Sequence, residues 1–137
     1  MKKLILSLII ALITLTVNAG NISTFKQDNK IAHPKVSITN EQAVAFVNKL
    51  RGKANDAEKV ALIKDEINAQ HNYQTTGLTV DQVMMILNQL NEAAKIEVAI
   101  YAFQYTVDYK KYLRIQDLFN TEANKGRLED YVDKHRK

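Results

Sequence analysis

The stretch LTVDQVMMILNQLNEAAKIEVAIYAFQYTVD, residues 78–108, decides how this chain is to be folded. Thr79 suits a helix N-cap, because its hydroxyl can accept a bond from a backbone N–H of the first turn, and Gln82, three residues on, can reach back to complete a capping box. Leu78 and Val83 have the spacing of a hydrophobic staple around that cap, and Asp81 places negative charge where the helix dipole favours it. Val83, Ile86, Leu87 and Leu90 then keep the rhythm of a buried helical stripe, which predicts a helix over residues 80–90. Asn91 can cap the next one. There Ile96, Ala99, Ile100, Phe103 and Val107 form one stripe, and Val98, Tyr101, Ala102 and Tyr105 form a second face. A helix apolar around most of its circumference must be covered on several sides. Residues 94–107 are therefore expected to be the central helix of the fold, with Phe103 in its core.

Working upstream, SITNEQAVAFVNKL (37–50) aligns with GLTVDQVMMILNQL (77–90) at an offset of 40. Thr39 matches Thr79, Gln42 matches Gln82, Ile38 matches Leu78, and Ala43, Phe46, Val47 and Leu50 match the buried stripe. The same capping box and staple thus open a helix over 40–51, with Gly52 as its stop. Val60, Ile63 and Ile67 share one face of a helix over 56–70, and residues 72–77 read as a polar turn. Downstream, Asp108 can cap a fifth helix whose inner face is Tyr112, Ile115 and Phe119 with Leu118; residues 121–126 read as a break, and Leu128, Tyr131 and Val132 mark a short last helix. The pattern predicts an all-α fold of about six helices arranged as three consecutive helical hairpins, in a compact bundle or short solenoid-like array. It requires no strand.

The first residues have a different character. Lys2 and Lys3 precede an apolar run from Leu4 to Val17, and Val17-Asn18-Ala19 fits a small-residue cleavage site. This predicts a secretory signal peptide, residues 1–19, and an exported chain, periplasmic or secreted; the alternative is an uncleaved N-terminal anchor. The run is shorter than the roughly 20 residues of a membrane span. Residues 20–37 carry few apolar side chains and the single proline, Pro34, so they read as a polar, disordered leader ahead of a domain over 38–137. The absence of cysteine excludes disulfides, thiol chemistry and attachment of lipid at the cleavage site.

The net charge of +4 falls to zero for the domain once Lys2 and Lys3 of the signal and the excess lysines of the leader (Lys26, Lys30 and Lys35 against Asp28) are set aside. A neutral domain is a poor match for a phosphate backbone, so no nucleic-acid partner is expected. The remaining basic cluster, Lys134-His135-Arg136-Lys137, suits a solvated helix end.

The residues Leu78-Thr79-x-x-Gln82-Val83-x-x-Ile86-Leu87, then Lys95, Ala102, Val107-Asp108, Tyr112, Phe119, Leu128 and Tyr131-Val132, resemble the family numbered 4476 among domains of unknown function. The resemblance spans residues 44–132. It implies a short helical domain of secreted or envelope proteins, mainly of Bacteroidetes, and carries no catalytic residues over.

The chemistry-bearing side chains are sparse. Serine occurs only at Ser7, Ser23 and Ser37, and the glycines are isolated, which removes a Ser-His-Asp arrangement on rigid elements and a phosphate-cradling loop. His33, His71 and His135 stand at no recognised metal-ligand spacing, so no metal or cofactor is expected. Tyr101, Tyr105, Tyr109 and Tyr112 recur at spacings of four, four and three. Tyrosine joins a large apolar body to a polar tip, which suits an interface. The leading expectation is a non-catalytic binding module of the envelope, with a protein or envelope component as partner and a surface along Tyr101, Tyr105 and Tyr109 with Met85 nearby. The competing structural reading packs the tyrosine row between hairpins. An alternative is a small hydrolase-type enzyme using Glu66, His71 or the region of Asp108; another is weak binding of anionic polymers through the basic termini.

Overall fold

The computed structural model describes residues 31–136 apart from Thr75, and the side chains of residues 71–74 are not among those described. The expected signal peptide and the leader up to residue 30 lie outside the described residues. Among the described residues there are five α-helices: α1 (Asn40–Arg51), α2 (Asp56–Gln74), α3 (Val80–Leu87), α4 (Glu92–Ala102) and α5 (Glu122–His135). A 3-10 helix, Tyr109–Leu118, stands where the fifth helix was expected, which makes six helices in three successive pairs.

The caps form as the sequence requires. Thr39 and Thr79 each accept from the backbone N–H of the glutamine three residues on, and each glutamine side chain accepts from the threonine N–H in return. Asn91 caps α4 by accepting from Ala94 N–H. Gly52 closes α1 by donating to the carbonyls of Leu50 and Lys49. The apolar stripes then meet. Helix α4 packs against α2, α3 and α5 and is the centre of the array. Phe103, just past its end, is fully buried, with Tyr112 and Tyr131 meeting its ring edge-on.

Four expectations about helices and their caps are corrected. The central helix ends at Ala102, not Val107: Phe103–Tyr105 tighten into a 3-10 turn and Thr106 is extended. The segment after Asp108 is 3-10 because its inner residues, Tyr109, Tyr112, Ile115 and Leu118, recur every three positions, which is the period of that helix. Asp108 does not cap it; its Oδ1 accepts from Val80 N–H at 2.8 Å and so caps α3 instead. The break expected at 121–126 is part of α5, whose N-cap is Thr121.

Strands are present too. β1 (Val36–Ser37) pairs in parallel with β2 (Thr76–Gly77), and Leu78 bridges in parallel to Thr106. Ile38 N–H donates to Gly77 C=O, Leu78 N–H to Tyr105 C=O, and Val107 N–H to Leu78 C=O, each at 2.9 Å. A three-strand parallel ladder therefore ties the openings of the three hairpins together. The end of the leader is ordered against it. His33 Nδ1 lies 3.1 Å from Thr106 O, and Pro34 passes so close over Gly77 that a Cβ there would come within 2.2 Å of the proline ring. No helix among the described residues is long and apolar enough to cross a membrane.

Candidate functional site

Helix α1 leans chiefly on α3, and α2 leans on α4 and β2. The two arms of the first hairpin therefore rest on different supports, and a groove of about 180 Å³ opens between them. Its walls are Gln42, Ala45, Phe46 and Lys49 from α1 and Glu66, Ile67 and Gln70 from α2; Ile38, Gly77, Leu78 and Ile86 floor it, and Tyr105 and Thr76 close one side. Gln42, then Ala45 and Phe46, then Lys49 fall on successive helical turns, which is why α1 lays them along one face. The floor is apolar and the rim carries an ammonium, a carboxylate and two amides. Glu66 is held on that rim by Gln70 Nε2, 3.3 Å away.

The tyrosine row does not survive as a row. Tyr101 and Tyr105 stand together, with ring centroids 5.3 Å apart, and both hydroxyls donate to Asn68 Oδ1, at 2.7 and 3.3 Å. Both are half-buried; burial above all, with Tyr105 alongside, pushes the Tyr101 phenol up to about 12, so it stays a neutral donor. Lys64 sits over the Tyr101 ring and pairs with Glu97 at 2.6 Å. Tyr109 lies elsewhere: it stacks flat on His33, centroids 3.7 Å apart. The helix ends at Ala102, so the spacing of four from Tyr105 to Tyr109 no longer corresponds to one turn. Tyr112 is fully buried and donates to the Ala99 carbonyl. Met85 is half-buried against the core and is not part of the groove, which its neighbour Ile86 lines. Of the expected surface, Tyr105 alone reaches the groove.

The carboxylates proposed for hydrolysis are held apart in role. Glu66 is on the groove rim and Asp108 caps α3, while the His71 side chain lies outside those described. Of the basic termini, Lys26, Lys30 and Lys137 also lie outside the described residues, and Arg136 pairs with Asp133 at 3.4 Å. No group of three or more His, Asp or Glu among the described residues could hold a metal ion.

Missed by the sequence reading were the groove itself, which arises from how two helices splay, and His33. The imidazole meets the edge of Phe103 at 4.9 Å, stacks on Tyr109 and bonds to Thr106. The one hint was a His-Pro pair in an otherwise polar leader.

Fold and groove together define a small helical-hairpin array with a cleft in its first hairpin. Comparison places it more narrowly: the sequence profile of the domain of unknown function (DUF4476) matches residues 37–132, and the chain belongs to that family. The match begins at Ser37, ahead of the first capping box, so it takes in both repeats. No curated protein and no solved structure matches the chain.

Proposed function

We propose that this chain is an exported, non-catalytic binding module of the bacterial cell envelope, and that the groove between α1 and α2 receives an apolar side chain of a protein partner. The observation that carries this reading is the groove: about 180 Å³ with an apolar floor and a polar rim. That volume suits one large side chain, and a mainly apolar site with a few placed polar groups is the usual form of a recognition pocket. Lys49, Glu66, Gln42 and Gln70 can orient what enters it. The apolar run and small-residue site at the N-terminus support export.

The test is affinity capture from the native envelope fraction with the chain beginning at Gly20, beside its Gln70→Trp variant. An indole at position 70, on the rim, fills the groove without touching the caps. The expected result is a partner held by the first and lost by the second, at an unchanged melting temperature. Identical captured sets would refute the reading.

A further inference from the structure

The internal repeat indicates what is missing from the molecule's own edge. In the second unit, Gly77 C=O accepts from Ile38 N–H at 2.9 Å, and Gln82 Nε2 donates to Ile38 C=O, also at 2.9 Å. One residue of the preceding unit is thus gripped at both backbone groups. The next step of the ladder repeats the grip on Leu78, with Val107 N–H in place of the glutamine amide. Moved back by the repeat offset, the gripping groups are Ser37 C=O and Gln42 Nε2. Because Ile38 N–H points to β2, the Ser37 backbone groups point to the opposite, outer edge. Neither they nor Gln42 Nε2 has a partner among the described residues. Gln82 is 2% exposed, whereas Gln42 is open to solvent. The two large apolar side chains most exposed among the described residues, Val36 (63%) and Val44 (47%), belong to this same first unit.

We infer that the outer edge of β1 is a docking site for an extended segment of another protein, laid parallel to β1. One aliphatic residue of that segment donates its N–H to Ser37 C=O and accepts at its C=O from Gln42 Nε2. The inference deepens the binding-module reading and rests on it; it shares Gln42 with the groove wall but otherwise uses the outer edge of β1. Residues 33–35 leave β1 by crossing over Gly77 toward Thr106, so the described end of the leader does not itself cover the outer edge. A second copy stacked head to tail is an unsuitable occupant, because the opposite edge is closed: Thr106 C=O takes the His33 bond, and Thr106 N–H donates to Phe103 C=O. Two β1 edges paired across a two-fold axis would run antiparallel, against the template. Addition of a strand to an open edge is a recurring mode of peptide recognition.

The probe is a synthetic peptide copying Pro34–Asn40, PKVSITN, titrated into isotope-labelled chain beginning at Gly20, which contains every described residue. Expected are saturable shifts, with Kd below about 1 mM, confined to Val36–Ile38 and the Gln42 side-chain amide. Gln42→Ala should weaken binding about 2- to 10-fold, the worth of one hydrogen bond. Ser37→Pro removes the outward N–H that an added parallel strand would also pair with and sets a ring on that edge, so it should abolish binding while leaving the Ile38 bond and the fold intact. Gln70→Trp should leave peptide binding unchanged, so failure of the groove reading and failure of this one are told apart. The inference is overturned by absence of saturation, by shifts elsewhere, by dimerisation of the chain through β1 without peptide, or by binding that appears only when residues 20–30 are removed.

Discussion

Gln82 Nε2 donates to the carbonyl of Ile38, 44 residues earlier, at 2.9 Å, while its Oε1 closes the capping box on Thr79. One side chain thus caps a helix and joins two hairpins. It also reaches Asn40 Oδ1 at 3.2 Å. Gln82→Ala leaves a buried carbonyl and a helix-end N–H unpaired and is expected to cost about 2–4 kcal/mol. The matched change Gln42→Ala removes only a solvent-exposed cap and should cost about 0.5–1 kcal/mol. Urea denaturation of the two variants checks the contrast; equal losses would remove the role assigned to Gln82.

Gly77 is fixed by space. A Cβ there would fall 2.2 Å from Pro34 Cγ and 2.2 Å from the Tyr105 carbonyl oxygen. The proline can move, but the carbonyl is backbone and is held in the ladder. Gly77→Ala is therefore expected to destabilise by about 2 kcal/mol or more. Adding Pro34→Ala should recover only part of the loss, which a melting comparison would read.

Gly126 is the opposite case. It lies inside α5, and a Cβ there meets nothing within 4 Å. Gly126→Ala is expected to stabilise by about 0.5–1 kcal/mol through helix propensity and a less disordered unfolded chain. A drop in the denaturation midpoint would mean that α5 does not run through this position.

Phe103 is fully buried and meets His33, Tyr109, Tyr112 and Tyr131 edge-on. Phe103→Ala is expected to cost about 3–5 kcal/mol through lost transfer energy and an unfilled cavity. A loss under about 1 kcal/mol would show that this ring is not the core.

His33 makes docking of the leader pH-dependent. Burial lowers its pKa below the ordinary 6.5, against the upward pull of the Thr106 and Phe103 carbonyls. Nδ1 donates to Thr106, and Nε2 is buried with no partner among the described residues, so a second proton would have no acceptor there. The unfolded chain takes that proton at higher pH than the folded one. This part of the stability is therefore complete well above pH 6.5, falls as pH drops through 6.5, and levels off below the folded pKa. His33→Phe keeps the ring contacts and should flatten the profile between pH 8 and 5 relative to the wild type.

The helical frame was legible because its signals are local. Thr39 with Gln42 and Thr79 with Gln82 announce their helices, and the stripe through Ile96, Ala99 and Phe103 announces the centre. The ladder was not, because β1 and β2 have two residues each and leave no alternation to read. The 3-10 segment was visible as a period of three in Tyr109, Tyr112, Ile115 and Leu118, but Phe119 also fits an α-helical spacing from Ile115, so the two periods compete. The groove depends on α1 and α2 choosing different supports, which is a tertiary outcome that no single stretch encodes.

The claim on which the rest depends is that Ile38, Leu78 and Val107 hold the three hairpin openings in one parallel ladder. Amide hydrogen exchange of the chain beginning at Gly20 measures it residue by residue. Slow exchange at Ile38, Leu78 and Val107, with fast exchange at the outward-facing Ser37, is the expected pattern. Exchange at Ile38 and Leu78 as fast as at Ser37 would contradict it.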